Sequence, residues 1–180
     1  LNSLFVVIEA GYGIASGSMA LVADAGHNLS DVLGLIMAWT AANLARRPPS
    51  GRFTYGLKSS SILAALANSA LLIAAIGAIG VEAVRRLLQP EPVAGQTVMV
   101  VAAAGIVINA LTALLFARGS KHDLNIRGAF LHMLGDALVS AAVVIAGLVI
   151  ARTGLTWVDP VASLLVLAVI AARLGPYYLQ

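Results

Sequence analysis

Ala64-Ala65-Leu66-Ala67-Asn68-Ser69-Ala70-Leu71-Leu72-Ile73 is continuously small and apolar. That stretch decides between the two structures that can cross a bilayer. A strand of a membrane barrel alternates apolar and polar side chains with period two over about ten residues. This segment does not alternate, and so reads as helix. Five further apolar stretches flank it. They are separated by Gly17-Ser18, by Arg46-Arg47-Pro48-Pro49, by Pro90 and Pro92, and by the charged residues after Ala117 and Ala151. These breaks predict six helices, at approximately 1–16, 18–45, 60–86, 96–118, 124–152 and 159–176.

Composition agrees. Hydrophobic residues make up 60% of the 180 and charged ones only 11%, and the mean hydropathy is +0.94. An ordinary soluble domain has roughly 45–50% apolar and about 25% charged residues, so a soluble globule is excluded. Six spans of about 20 residues consume about 120 positions and leave no room for a soluble domain. The expected fold is therefore an all-α membrane protein, a six-transmembrane-helix bundle occupying residues 1–180 as one transmembrane domain. The sequence opens at Leu1 without an initiator Met, a polar leader or a basic segment before a cleavage site. The first span is thus expected to be entered part-way and not to be a signal peptide.

There is no Cys, which excludes thiolate metal sites. The pI of 9.7 reflects a net charge of only +3 on 11 basic and 8 acidic residues, too few for a stripe that tracks phosphates, so no nucleic-acid partner is expected. The basic bias reads as topology. Arg46, Arg47, Arg52, Lys58, Arg118, Lys121, Arg127 and Arg173 fall on one side of the predicted spans, against Arg85, Arg86 and Arg152 on the other. By the positive-inside rule, loops 2–3 and 4–5 and both termini are expected in the cytoplasm.

Ionisable side chains inside a span cost a few kcal/mol or more and mark function. Helix two carries His27 and Asp31, and helix five carries His132 and Asp136. Each pair is spaced i, i+4, on one helix face a turn apart. At a rise of ~1.5 Å per residue all four fall near the middle of a core about 30 Å thick. Two imidazole nitrogens and two carboxylate oxygens suit tetrahedral Zn²⁺, whereas Mg²⁺ or Mn²⁺ would be better served by oxygen ligands alone. Two carboxylates neutralise one divalent ion, and the empty site can take up protons instead, which is the basis of metal/proton exchange. Bis-His haem ligation by His27 and His132 is the rival, with an Asp one turn from each His against it. The His-Glu-x-x-His helix of a metalloprotease is missing, and the chain reads as a transporter, not an enzyme.

Four further strings carry a resemblance. They are Ser16-Gly17-Ser18-Met19-Ala20-Leu21-Val22-Ala23-Asp24-Ala25-Gly26-His27-Asn28-Leu29-Ser30-Asp31, Arg52-Phe53-Thr54-Tyr55-Gly56, Asn125-Ile126-Arg127-Gly128-Ala129-Phe130-Leu131-His132-Met133-Leu134-Gly135-Asp136-Ala137 and Trp157-Val158-Asp159-Pro160. Together they resemble the cation diffusion facilitator family of divalent-metal/proton antiporters. The resemblance implies export of Zn²⁺, often with Cd²⁺ or Co²⁺, across the cell inner membrane in exchange for protons, with no organic cofactor. It implies His27, Asp31, His132 and Asp136 as the ligands, between helices two and five. The alternative is a passive metal channel or membrane metal-binding module without proton coupling. Two departures stand out. Lys58-Ser59-Ser60-Ser61 lacks the Glu that many members carry entering helix three. The cytoplasmic ferredoxin-like domain through which members form a homodimer is expected to be absent from this chain.

Other polar residues carry weaker expectations. Asp24 shares a face with His27 and is a candidate access-pathway residue, or a helix-start cap. Glu9 either lines the cavity or pairs with a neighbour. Asn28 and Ser30 could support the ligands, whereas Asn68 and Asn109 read as helix–helix glue. His122 and Asp123 are too few for a second metal site, and Arg46, Arg47 and Arg52 could touch anionic lipid. The imidazole reading makes one graded prediction. His27→Asp should weaken discrimination of Zn²⁺ and Cd²⁺ against Mn²⁺ in metal-competition binding; unchanged competition would contradict the role given to the ring.

Overall fold

The structure is a computed structural model and describes residues 2–45, 59–117 and 124–178. Among the described residues there are six helices and no strand: α1 (Asn2–Ser16), α2 (Met19–Ala45), α3 (Ser60–Leu88), α4 (Gly95–Ala117), α5 (Leu124–Thr153) and α6 (Val158–Tyr178). Three segments, Ile62–Leu88, Gly95–Ala117 and Ile126–Thr153, are long and apolar enough to cross a membrane by length and composition. α2 is just as long, at 27 residues, but Asp24, His27, Asn28 and Asp31 interrupt its apolar character. Large apolar side chains face outward on every helix: Ile14 is 76% exposed, Leu88 80% and Leu115 82%. A water-soluble protein rarely shows so much contiguous apolar surface; hydrocarbon is its natural solvent.

Breaks in the sequence become caps. Gly17, at φ +68, takes the left-handed conformation that ends α1. Its N–H donates to the Ile14 carbonyl at 3.2 Å and the Ser18 N–H to the Gly13 carbonyl at 2.9 Å, the paired bonds of a Schellman motif. A side chain at Gly17 would also meet the Pro92 carbonyl oxygen at 2.7 Å. Gly154, at φ +70, ends α5 through a bond from its N–H to the Ile150 carbonyl at 2.8 Å.

The start of α2 is held from outside the helix. Ser18 Oγ accepts from the Leu21 N–H at 3.2 Å and donates to Asp159, whose Oδ2 accepts from the Met19 N–H at 2.6 Å. Asp159 sits in the first turn of α6, so α6 supplies the carboxylate that satisfies the open N–H groups of α2. Arg86, in the last turn of α3, donates to the Gly17 carbonyl, and the Ala94 N–H donates to the Ser16 carbonyl at 3.0 Å. These bonds gather the ends of α1 and α3 and the starts of α2, α4 and α6 at one end of the bundle.

Next to that end lies the core, where Ala20, Leu21 and Ala23 of α2 meet Leu72 of α3, Val98 and Ala102 of α4, Val139 and Val143 of α5 and Val166 and Ile170 of α6. α4 and α5 share the most extensive contact in the bundle, whereas α2 and α5 meet narrowly. Small residues set the α4–α5 distance. A Cβ on Gly147 would lie 2.8 Å from the Met99 nitrogen, and one on Gly95 2.7 Å from the Ala151 nitrogen. Both obstacles are backbone, so the helices would have to move apart. Gly147→Ala is therefore expected to destabilise the bundle by about 1–3 kcal/mol, whereas Gly128→Ala, which meets nothing within 4 Å, should be neutral or slightly stabilising. Thermal unfolding in detergent checks this; equal midpoints for the two variants would contradict it.

Candidate metal centre

His27 and Asp31 lie ~12 and ~18 Å along α2 from Met19, and His132 and Asp136 lie ~12 and ~18 Å along α5 from Leu124, at the helical rise per residue. The helices run in opposite directions and bring the four side chains together. Asp31 Oδ2 lies 3.6 Å from His27 Nε2 and 3.2 Å from His132 Nε2. Asp136 Oδ1 lies 3.7 Å from His27 Nε2, and its Oδ2 lies 3.5 Å from His132 Nε2. Each carboxylate faces both imidazoles, and the two rings stand edge to face with centroids 6.0 Å apart.

The 3.2 Å separation is at the outer edge of the hydrogen-bond range and the other three lie beyond it. Neither ring nitrogen of His27 has a hydrogen-bond partner although both are buried, and the same holds for Asp31 Oδ2. A buried imidazole left without partners is costly. Around a tetrahedral Zn²⁺, with bonds of about 2.0–2.2 Å, neighbouring ligand atoms lie about 3.3–3.6 Å apart. The four N···O distances fall around that range. Ligand atoms of Asp31, His132 and Asp136 all lie within 4.8 Å of one another. His27 stands outside that tighter set of three but within 3.7 Å of both carboxylates.

Access is one-sided. Asp31, His132 and Asp136 line a cavity of about 340 Å³ with Ser3, Asn28 and Asn109. This cavity lies toward the start of α1 and the second half of α2. His27 is 7% exposed and Asp136 1%, against 32% for Asp31 and 36% for His132. Beyond His27, toward the capped end of α2, the way is closed. Asp24 is fully buried, and its Oδ2 accepts from Ser140 Oγ at 2.8 Å.

The weaker candidates also find places. Asn28 donates to Glu9 Oε2 at 3.4 Å and lines the cavity. Glu9 is fully buried and pairs with neighbours, as one of its two readings expected. Asn68 packs against the backbone of Gly34, where a Cβ would lie 2.9 Å from its Nδ2. Asn109 lines the cavity. Arg46, Arg47, Arg52, Lys58, Arg118, Lys121, His122 and Asp123 lie outside the described residues. The string from Arg52 to Gly56 lies there too, and so does the side chain of Arg173.

Two residues of the surroundings escaped the sequence reading. Ser140 is four residues after Asp136, the spacing that puts it on the same face, and that spacing was the available signal. Asp159 was noticed only within a motif. Its use as a cap for another helix has no local signature.

Comparison with known proteins agrees with this chemistry. A family model described as the cation efflux transmembrane domain matches residues 1–178. The zinc transporter ZitB of Escherichia coli (strain K12) is 43% identical over 163 residues, covering 90% of this chain and 52% of that protein. The cadmium, cobalt and zinc/H(+)-K(+) antiporter of Bacillus subtilis (strain 168) is 39% identical over 173 residues, covering 95% of this chain and 55% of the relative. The metal cation efflux system protein CzcD of Cupriavidus metallidurans is 34% identical over 166 residues, 92% of this chain and 52% of that one. The chain thus spans about half the length of the curated relatives it matches.

Proposed function

The chain belongs to the cation diffusion facilitator family, and from that premise we propose that it exports Zn²⁺, with Cd²⁺ and Co²⁺ as further substrates, in exchange for protons. It is a membrane protein of a transporter family; the inner membrane, six spans and cytoplasmic termini belong to the proposal. His27, Asp31, His132 and Asp136 hold the ion in transit. The observation that carries this reading is the convergence of two imidazoles and two carboxylates at 3.2–3.7 Å, together with the two buried ring nitrogens of His27, which have no hydrogen-bond partner.

The ligand set suits the exchange. A divalent ion on two carboxylates is a neutral load in an apolar interior, and protons on the same groups discharge the empty site, so either occupant lowers the cost of the buried charges. The cavity on the side of Ser3 supports a state open to one face, with the capped end closed. If the positive-inside assignment of the loops holds, that open face is the cytoplasm. Alternate exposure then requires the α1–α2 turn and its partners to open while the cavity closes, the rocking about a midplane site used by secondary transporters. Narrow α2–α5 contact leaves the ion itself as the main bridge between those helices.

In inside-out vesicles the unmodified protein should drive zinc uptake in response to a pH gradient, and His27→Ala and Asp136→Ala should abolish it. Their zinc affinity should fall by more than about 100-fold, since losing even an outer-shell partner costs 10–100-fold. Full exchange in both variants would overturn the ligand assignment, and flux indifferent to the gradient would favour a passive channel.

A further inference from the structure

The turn between α1 and α2 is gripped from outside at three points. Arg86 of α3 donates through Nη1 to the Gly17 carbonyl. From the connection after α3, the Ala94 N–H donates to the Ser16 carbonyl at 3.0 Å. From α6, Asp159 accepts from Ser18 Oγ and from the Met19 N–H. Water satisfies the open groups of a helix end as readily. What the outside grip adds is a tie from α1 and α2 to α3 and α6, at the end of the bundle where the way past His27 is closed.

The Arg86 guanidinium is aimed at its target. Its Nε donates to Glu82 Oε1 at 3.0 Å, and its Nη2 lies 3.3 Å from Glu91 Oε2. Arg85 Nη2 binds the same two carboxylates, at 2.8 Å to Glu82 and 3.0 Å to Glu91. Two carboxylates thus occupy two sides of a planar fork, and the remaining N–H meets the turn. Ion pairs this exposed contribute little stability of their own: Arg85 is 56% exposed and Glu91 44%, against 15% for Arg86. Such a quartet fixes the direction of one partly buried arm without locking the bundle.

A second observation lies just inside this end. Ser163 is one turn after Asp159 on the same face of α6, ~6 Å further along the helix. It is fully buried, and its Oγ has no hydrogen-bond partner. A buried hydroxyl without a partner is costly, and water entering from this end would supply one.

We propose that Arg86 is the arm of a latch. Its bond to the Gly17 carbonyl, aimed by Glu82 and Glu91, acts with the Asp159 bonds to hold the end opposite the cavity shut, and it must release for that face to open. This rests on the transport reading above and deepens it, by naming the bonds that separate the two exposures. Release is readily reversed, since water takes over both the carbonyl and the arm that leaves it. α2 begins at this turn, so release frees the helix that carries His27 and Asp31.

The chain contains no Cys, so one introduced thiol reports access to water without background. Ser163→Cys is nearly isosteric and should leave zinc transport unchanged; in the purified chain in nanodiscs its reaction with a water-soluble maleimide should be slow. Adding Arg86→Gln should speed that reaction about tenfold, the order expected for one charge-assisted hydrogen bond. Arg86→Lys, which keeps the charge without the fork, should do the same. Ala113→Cys, buried in α4, should react no faster in either background. An unchanged rate at Ser163→Cys overturns the proposal. So does equal acceleration at both reporters, which is general loosening, and so does a lysine that restores the slow rate. Should Arg86→Gln not fold, Glu91→Gln removes one aiming carboxylate at an exposed residue and should speed labelling about threefold; no change there overturns the latch. Flux indifferent to a pH gradient in the unmodified protein would refute the exchange reading, whereas coupled flux with unaltered labelling in the Arg86 variants refutes only the latch.

Discussion

Ionic groups inside an apolar bundle must compensate one another, and that constraint organises this protein. Asp31 and Asp136 each face both His27 and His132, yet both ring nitrogens of His27 and Asp31 Oδ2 are buried without a hydrogen-bond partner. Leaving them so is expensive in a low-dielectric interior. On the proposed reading a divalent ion or a set of protons relieves that cost, and a site that holds either in turn is suited to trading them.

Placing the groups falls to neutral parts of the structure. Gly95 and Gly147 let α4 and α5 pack backbone to backbone, which fixes α5 as part of a rigid pair. α2 is held at its start through Ser18, Asp159 and the Gly17 turn, and near its end by Ser60 Oγ, which donates to the Ala41 carbonyl at 2.9 Å. It meets α5 narrowly. The four side chains of the candidate site thus span two helices whose direct packing is slight, an arrangement that tolerates relative movement better than a continuous helix–helix seam would.

Much of this was legible in the sequence, for a physical reason. In a chain with 11% charged residues, an acid or histidine inside an apolar run stands out, and i, i+4 spacing fixes which of them share a face. His27, Asp31, His132 and Asp136 were therefore readable, as were the six helices from their breakers. Relations between elements distant in sequence were not. Asp159 reaches α2 across 140 positions and Ser140 reaches Asp24 across 116, contacts that no local pattern encodes. The cavity likewise is lined from α1, α2, α4 and α5 together, a juxtaposition that periodicity does not carry. Asn109, read as glue, proves to line that cavity, because a buried Asn looks the same in sequence whether it faces a helix or a void.

The ligand shell of the bound ion tests the central claim most directly. X-ray absorption at the zinc edge of the purified, zinc-loaded chain should give four light ligands at about 2.0–2.1 Å, with the outer-shell scattering of two imidazoles. A six-coordinate oxygen shell, or one without imidazole scattering, would contradict the assignment of His27 and His132 together with Asp31 and Asp136 as the site of the ion.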